Sequence, residues 1–82
     1  MGPKPIGEQV KEWREALGLS QRDLAERAGV GYVLVARLEL GQTDPRLSTL
    51  RRLAEALNVT VGDLVDGKPG MAKRPARKRA GS

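Results

Sequence analysis

Between Tyr32 and Leu40 only Arg37 can donate a two-pronged hydrogen bond. Its planar fork of donors matches paired acceptors such as O6 and N7 on a guanine edge. Tyr32 adds one hydroxyl, able to meet a phosphate or a base edge. Val33 and Ala36 add apolar surface of the kind that packs on thymine methyl groups. Gln21, Gln42, Thr43 and Arg46 are further donors suited to phosphate oxygens, whereas Asp44 would repel them. All of this is the chemistry of recognition. The groups that make and break bonds are missing. The 82 residues contain no histidine and no cysteine, and only three serines, none with a histidine to activate it. No carboxylate pair stands at a recognisable spacing. The expectation is a binding protein and not an enzyme, with no cofactor, no metal and no disulfide.

Five helices are needed to position these residues. Ile6, Val10, Trp13 and Leu17 recur at spacings of four, three and four, one face of a first helix between Pro5 and Gly18. Trp13 on that stripe reads as core and not as a stacking platform. Ser20-Gln21-Arg22-Asp23 resembles a capping box and opens a second, two-turn helix with Leu24, Ala25 and Ala28 inward. Gln21 thereby falls in a first helical turn, where free N–H groups and the helix dipole favour a phosphate. Gly29-Val30-Gly31 is a tight turn in which Val30 plugs the gap between two helices. A third helix runs from about Tyr32 to Leu40. With Val35 and Leu38 inward, 100° per residue turns Val33, Ala36, Arg37 and Leu40 outward, with Tyr32 and Leu34 at the flanks. Gly31 stands where a side-chain cap is common, so the start of this helix is weakly capped. A polar loop with an Asp44-Pro45 turn leads to a fourth helix marked by Leu47, Leu50, Leu53, Ala54 and Leu57, ended by Asn58. Thr60-Val61-Gly62-Asp63 caps a short fifth helix with Val61, Leu64 and Val65.

The net charge of +5 is unevenly placed. Residues 5–66 hold eight basic and ten acidic residues, a net of −2. Residues 67–82 hold six basic residues and no acidic one. A pI near 10.2 therefore describes the tail, and a basic-pI argument for the folded part would be wrong. Gly67-Lys68-Pro69-Gly70 breaks structure twice, and residues 72–82 are only Gly, Pro, Ala, Ser, Lys and Arg with little to bury, so the tail is expected to be disordered. Its cations Lys73, Arg74, Arg77, Lys78 and Arg79 are candidates for non-specific, salt-dependent attraction to DNA. The expected organisation is an N-terminal arm over 1–5, a folded domain over 6–66 and a flexible basic tail over 67–82. No apolar run approaches the roughly 20 residues of a membrane span, and the first residues lack the apolar stretch of a secretory signal. A cytoplasmic protein without a membrane partner is expected.

Leu19-Ser20-Gln21, Leu24-Ala25, Ala28-Gly29-Val30, Leu38-Glu39, Gly41, Pro45, Leu50 and Leu53-Ala54-x-Ala56-Leu57 together closely resemble the Cro/repressor-like, or XRE, family over about Ile6 to Val65. The resemblance implies an all-α, compact five-helix lambda-repressor-like helix-turn-helix domain, here followed by a disordered basic C-terminal tail. It implies a sequence-specific regulator of transcription, of the repressor type, that binds double-stranded DNA by placing the third helix in the major groove. The alternative is a protein-interaction module that uses the same fold, as in an antitoxin-like or bridging factor. By the same resemblance Tyr32, Val33, Ala36 and Arg37 face bases. Gln21 meets the DNA backbone and braces the recognition helix, and Gln42, Thr43 and Arg46 lie along the backbone. Arg14 and Glu39 form a structural ion pair. Homodimers on two half-sites are common among such proteins, and Val61 and Val65 are candidates for that contact. The family is mostly bacterial and phage-borne, which places the chain in the cytoplasm at the nucleoid. The recognition helix departs from the familiar pattern, in which Ser, Gln, Asn or Arg face the bases. Its apolar outward arc is equally the feature that a protein partner would use.

Overall fold

The computed structural model describes residues 4–69. Five helices are present: α1 (Ile6–Ala16), α2 (Gln21–Ala28), α3 (Tyr32–Glu39), α4 (Leu47–Leu57) and α5 (Val61–Asp66), with no strand among the described residues. The basic stretch Lys73, Arg74, Arg77, Lys78 and Arg79 lies outside those residues.

One hydrophobic core joins all five helices. Val10 and Trp13 enter from α1, Leu24, Ala25 and Ala28 from α2, Val35 and Leu38 from α3, Leu53, Ala54 and Leu57 from α4, and Leu64 from α5. Each fully buried Leu or Val contributes roughly 1.5–3 kcal/mol over an exposed position. Val30 packs against this core from the turn, as its apolar character suggests.

Local chemistry sets the helix ends. The Ser20 hydroxyl accepts from the Asp23 N–H while the Asp23 carboxylate accepts from the Ser20 N–H, a complete capping box at α2. Thr60 and Asp63 repeat it at α5. At the end of α2 Gly29 takes φ 70°, ψ 33°, a left-handed conformation that costs glycine nothing and lets the chain turn into α3 within three residues.

Two departures from the helical pattern follow from where helices stop. Leu17 was expected on the inner stripe of the first helix but is 49% exposed. It is the C-cap of α1, and the chain folds back there with the Leu19 N–H donating to the Arg14 carbonyl, so the four-residue extrapolation runs past the last helical turn. Leu40, expected at the outward-facing end of the third helix, is exposed as expected but is the C-cap of α3, which ends one residue earlier at Glu39.

Helices α1 and α5 are joined by polar contacts that hydrophobic periodicity does not report. Gln9, 4% exposed, donates from Nε2 to the carbonyls of Leu64 (3.1 Å) and Gly67 (2.7 Å). The indole Nε1 of core residue Trp13 donates to the Asp63 carbonyl at 3.2 Å. Gly7 permits the approach of α1 to α3: a Cβ there would lie 2.0 Å from the Leu38 carbonyl oxygen.

Candidate nucleic-acid interface

Helix α3 is held on one side and at one end. Val35 and Leu38 are fully buried, and at the last residue Glu39 is gripped by two other helices. Arg14 of α1 donates from Nε to Glu39 Oε2 at 2.7 Å and from Nη2 to Oε1 at 3.0 Å. The third guanidinium nitrogen, Nη1, donates to the Leu19 carbonyl at 2.7 Å. Gln21 of α2 donates from Nε2 to Glu39 Oε1 at 3.0 Å. The two charged side chains are 11% and 4% exposed, so this is a largely desolvated, bidentate pair with an amide as third member. The hydrogen bond to Glu39 raises the Arg14 pKa above its ordinary value against the opposing effect of burial, and the guanidinium stays charged at any working pH. A carboxylate at a helix C-terminus meets the negative end of the dipole, and Arg14 offsets that repulsion.

Arg14 and Glu39 are thus in contact, and Gln21 sits with them. The half-buried Gln21 commits one of its two amide hydrogens to Glu39, and the other has no partner among the described residues. Its place in the first turn of α2 leaves it beside that helix's free N–H groups.

The outward side of α3 is open. Tyr32 is 40% and Val33 58% exposed, and Arg37 is exposed without an ion pair to any described residue. Ala36 is half-buried: a single methyl offers a low, close contact and not a projecting one. The helix begins at Gly31 with no side-chain cap, so its first-turn N–H groups have no hydroxyl or carboxylate partner. Beyond α3, the Gly41 and Gln42 N–H groups close on the carbonyls of Leu38 and Arg37 at 3.0 and 2.9 Å, leaving the Gln42 side chain exposed. Thr43 is half-buried. Arg46 is exposed and occupies the N-cap of α4, where its side chain makes no capping bond and remains available.

One contact at this surface was not read from the sequence. The Arg22 guanidinium of α2 lies over the Tyr32 ring, 4.5 Å from its centroid. Residues 10 apart in sequence, in two different helices, carry no periodicity signal. Only the compact turn between the helices brings them together. Arg52 is exposed and reaches the Gly29 carbonyl at 3.4 Å, at the edge of hydrogen-bonding distance. Of the two residues expected at a dimer contact, Val65 is exposed and Val61 packs partly on the core. Among the described residues no group of histidine, cysteine or carboxylates is arranged to hold a metal, and no helix is long and apolar enough to cross a membrane.

Two helices joined by a three-residue turn, the second clamped from behind and open in front, define a helix-turn-helix domain. Residues 10–64 match the Helix-turn-helix family model, and the chain belongs to that family in its Cro/repressor-like form. It is 38% identical over 60 residues to the HTH-type transcriptional regulator DdrOP3 of Deinococcus deserti, covering 73% of this chain and 46% of that protein. It is 36% identical over 64 residues to the HTH-type transcriptional regulator SinR of Bacillus subtilis, covering 77% and 58%. A crystal structure of SinR in complex with DNA superposes with a TM-score of 0.70 at 35% identity, over 74% of this chain and 98% of that one. The DNA-binding domain of the P22 c2 repressor superposes with a TM-score of 0.76 at 28% identity, over 82% and 88%. The chain spans about half the length of the two regulators that it matches.

Proposed function

We propose that this chain is a sequence-specific, double-stranded-DNA-binding regulator of transcription, of the repressor type, that places α3 in the major groove. The observation that carries the reading is the division of α3: core and Glu39 clamp on one side, exposed Tyr32, Val33 and Arg37 on the other. Arg37 pairs with a guanine edge, Tyr32 meets a base edge or phosphate, and Val33 and Ala36 pack on thymine methyls. The spare hydrogen of Gln21, with Gln42, Thr43 and Arg46, fixes the register against phosphates. Support comes from the SinR structure, which was solved with DNA. Residues 6–66 form the binding domain, between an arm over 1–5 and a tail over 67–82 whose cations add sequence-independent attraction. The protein acts as a homodimer on two half-sites, with the exposed Val65 as the candidate contact, and works in the cytoplasm at the nucleoid. No step requires catalysis, a cofactor or a membrane.

Selection of the chain on a random duplex library at near-physiological salt tests this reading. A recovered motif, organised as an inverted repeat, is the expected result. Retention without a motif would reduce the protein to a charge-driven binder. No retention would overturn the reading in favour of a protein partner on the Val33 and Leu40 surface.

A further inference from the structure

A phenol that reads a base must be aimed, because a hydrogen bond weakens steeply once its angle is lost. Tyr32 is the first residue of α3 and follows an N-cap without a side chain, so α3 itself supplies little to fix the ring. The constraint comes from α2. Arg22 Cζ lies 4.5 Å from the ring centroid, within the roughly 6 Å range of cation–π attraction. Arg22 sits inside the first turn that the Ser20–Asp23 capping box holds, so the cation is mounted on a fixed helical end. It is not drawn away by an acidic side chain: neighbouring Asp23 is turned to the Ser20 N–H, and Arg22 forms no ion pair with a described residue. A guanidinium that stacks through its face still keeps its edge donors free.

We propose that Arg22 is a positioning residue for Tyr32, and that the stack sets the base preference at the position that Tyr32 reads. This rests on the DNA-binding reading above. It adds to the recognition surface a residue of the supporting helix that specifies sequence through another side chain.

The test compares wild type, Arg22→Gln, Tyr32→Ala and the double variant on the selected duplex and on its single-base-pair variants at fixed salt. Tyr32→Ala is expected to flatten preference at one base pair. Arg22→Gln is expected to flatten preference at that same base pair by roughly two- to fivefold, with an unchanged unfolding midpoint. The double variant is expected to discriminate there no worse than Tyr32→Ala alone. Equal weakening on every duplex, a changed preference at a different base pair, or independent losses that multiply in the double variant would each overturn the assignment. In the free protein, ring-current shifts of the Arg22 side-chain protons, abolished in Tyr32→Leu, are expected, and their absence would overturn the stack itself. A wild-type chain with no base preference would bring down the DNA-binding reading and this assignment together. A wild-type preference that Arg22→Gln leaves intact overturns only the assignment.

Discussion

Helices α2 and α3 have eight residues each and lie on either side of one short turn, yet they are finished differently. The start of α2 is closed by reciprocal bonds between Ser20 and Asp23. The start of α3 is bare glycine, and its bonds to other helices are made at the opposite end, through Glu39. The outer side of α2 is charged, with Arg22, Asp23, Glu26 and Arg27, whereas that of α3 carries Tyr32, Val33 and Arg37. The contrast separates two tasks. α2 is satisfied at its own start, whereas α3 is fixed from behind and has no side-chain cap on its first turn.

Breaking the clamp should have the largest effect. Glu39→Ala leaves Arg14 nearly buried without its counter-charge and should cost about 3–5 kcal/mol of stability in denaturant unfolding. A loss below about 1 kcal/mol would place the pair among ordinary surface ion pairs. Arg37→Ala probes the open side. It should leave unfolding unchanged and cost about 1–3 kcal/mol of binding at one base pair, and a uniform loss on all duplexes would make Arg37 a phosphate contact. Ser20→Ala removes the cap of α2 and should cost about 1 kcal/mol.

The same cap gives a pH signature. The Ser20 N–H, and then its hydroxyl, hold the Asp23 carboxyl below the usual carboxylate range. The folded pKa is depressed, so this contribution is complete above the unfolded value and fades as pH falls through the folded one. Acid titration of Asp23→Asn should therefore lack that part of the loss. The smallest change sharpens the contrast from the other side. Gly31→Ser points its Cβ into open space and should raise stability by only a few tenths of a kcal/mol. If the free first-turn N–H groups of α3 serve the DNA, the new hydroxyl should weaken binding measurably in a titration, and unchanged binding would show that those groups have no role.

The helices and their inner faces were legible because buried apolar residues recur at the helical period, and Ser20, Gly29 and Asn58 mark where that period stops. Arg14 and Glu39 were paired through family resemblance and not through spacing, since residues 25 apart carry no local signal. What escaped the reading did so for three reasons. Gln9 and Gly7 lie on a buried face without being hydrophobic, so a pattern that scores apolarity passes over them. Leu17 fails in the opposite sense, an apolar residue just beyond the last turn. The Arg22–Tyr32 stack depends on the crossing of two helices, which no single segment encodes.

The bond from Gln9 to the Gly67 carbonyl also acts as a mooring. It pins the outgoing backbone to α1 just after the last helix, so whatever follows starts from a fixed point on the domain. Residues 68–82 span at most ~3.3–3.6 Å apiece, so covalent geometry alone keeps all of them within a distance on the order of 50 Å of that point. Gln9, a residue of the first helix, thereby fixes the point from which the basic stretch after the last helix sets out.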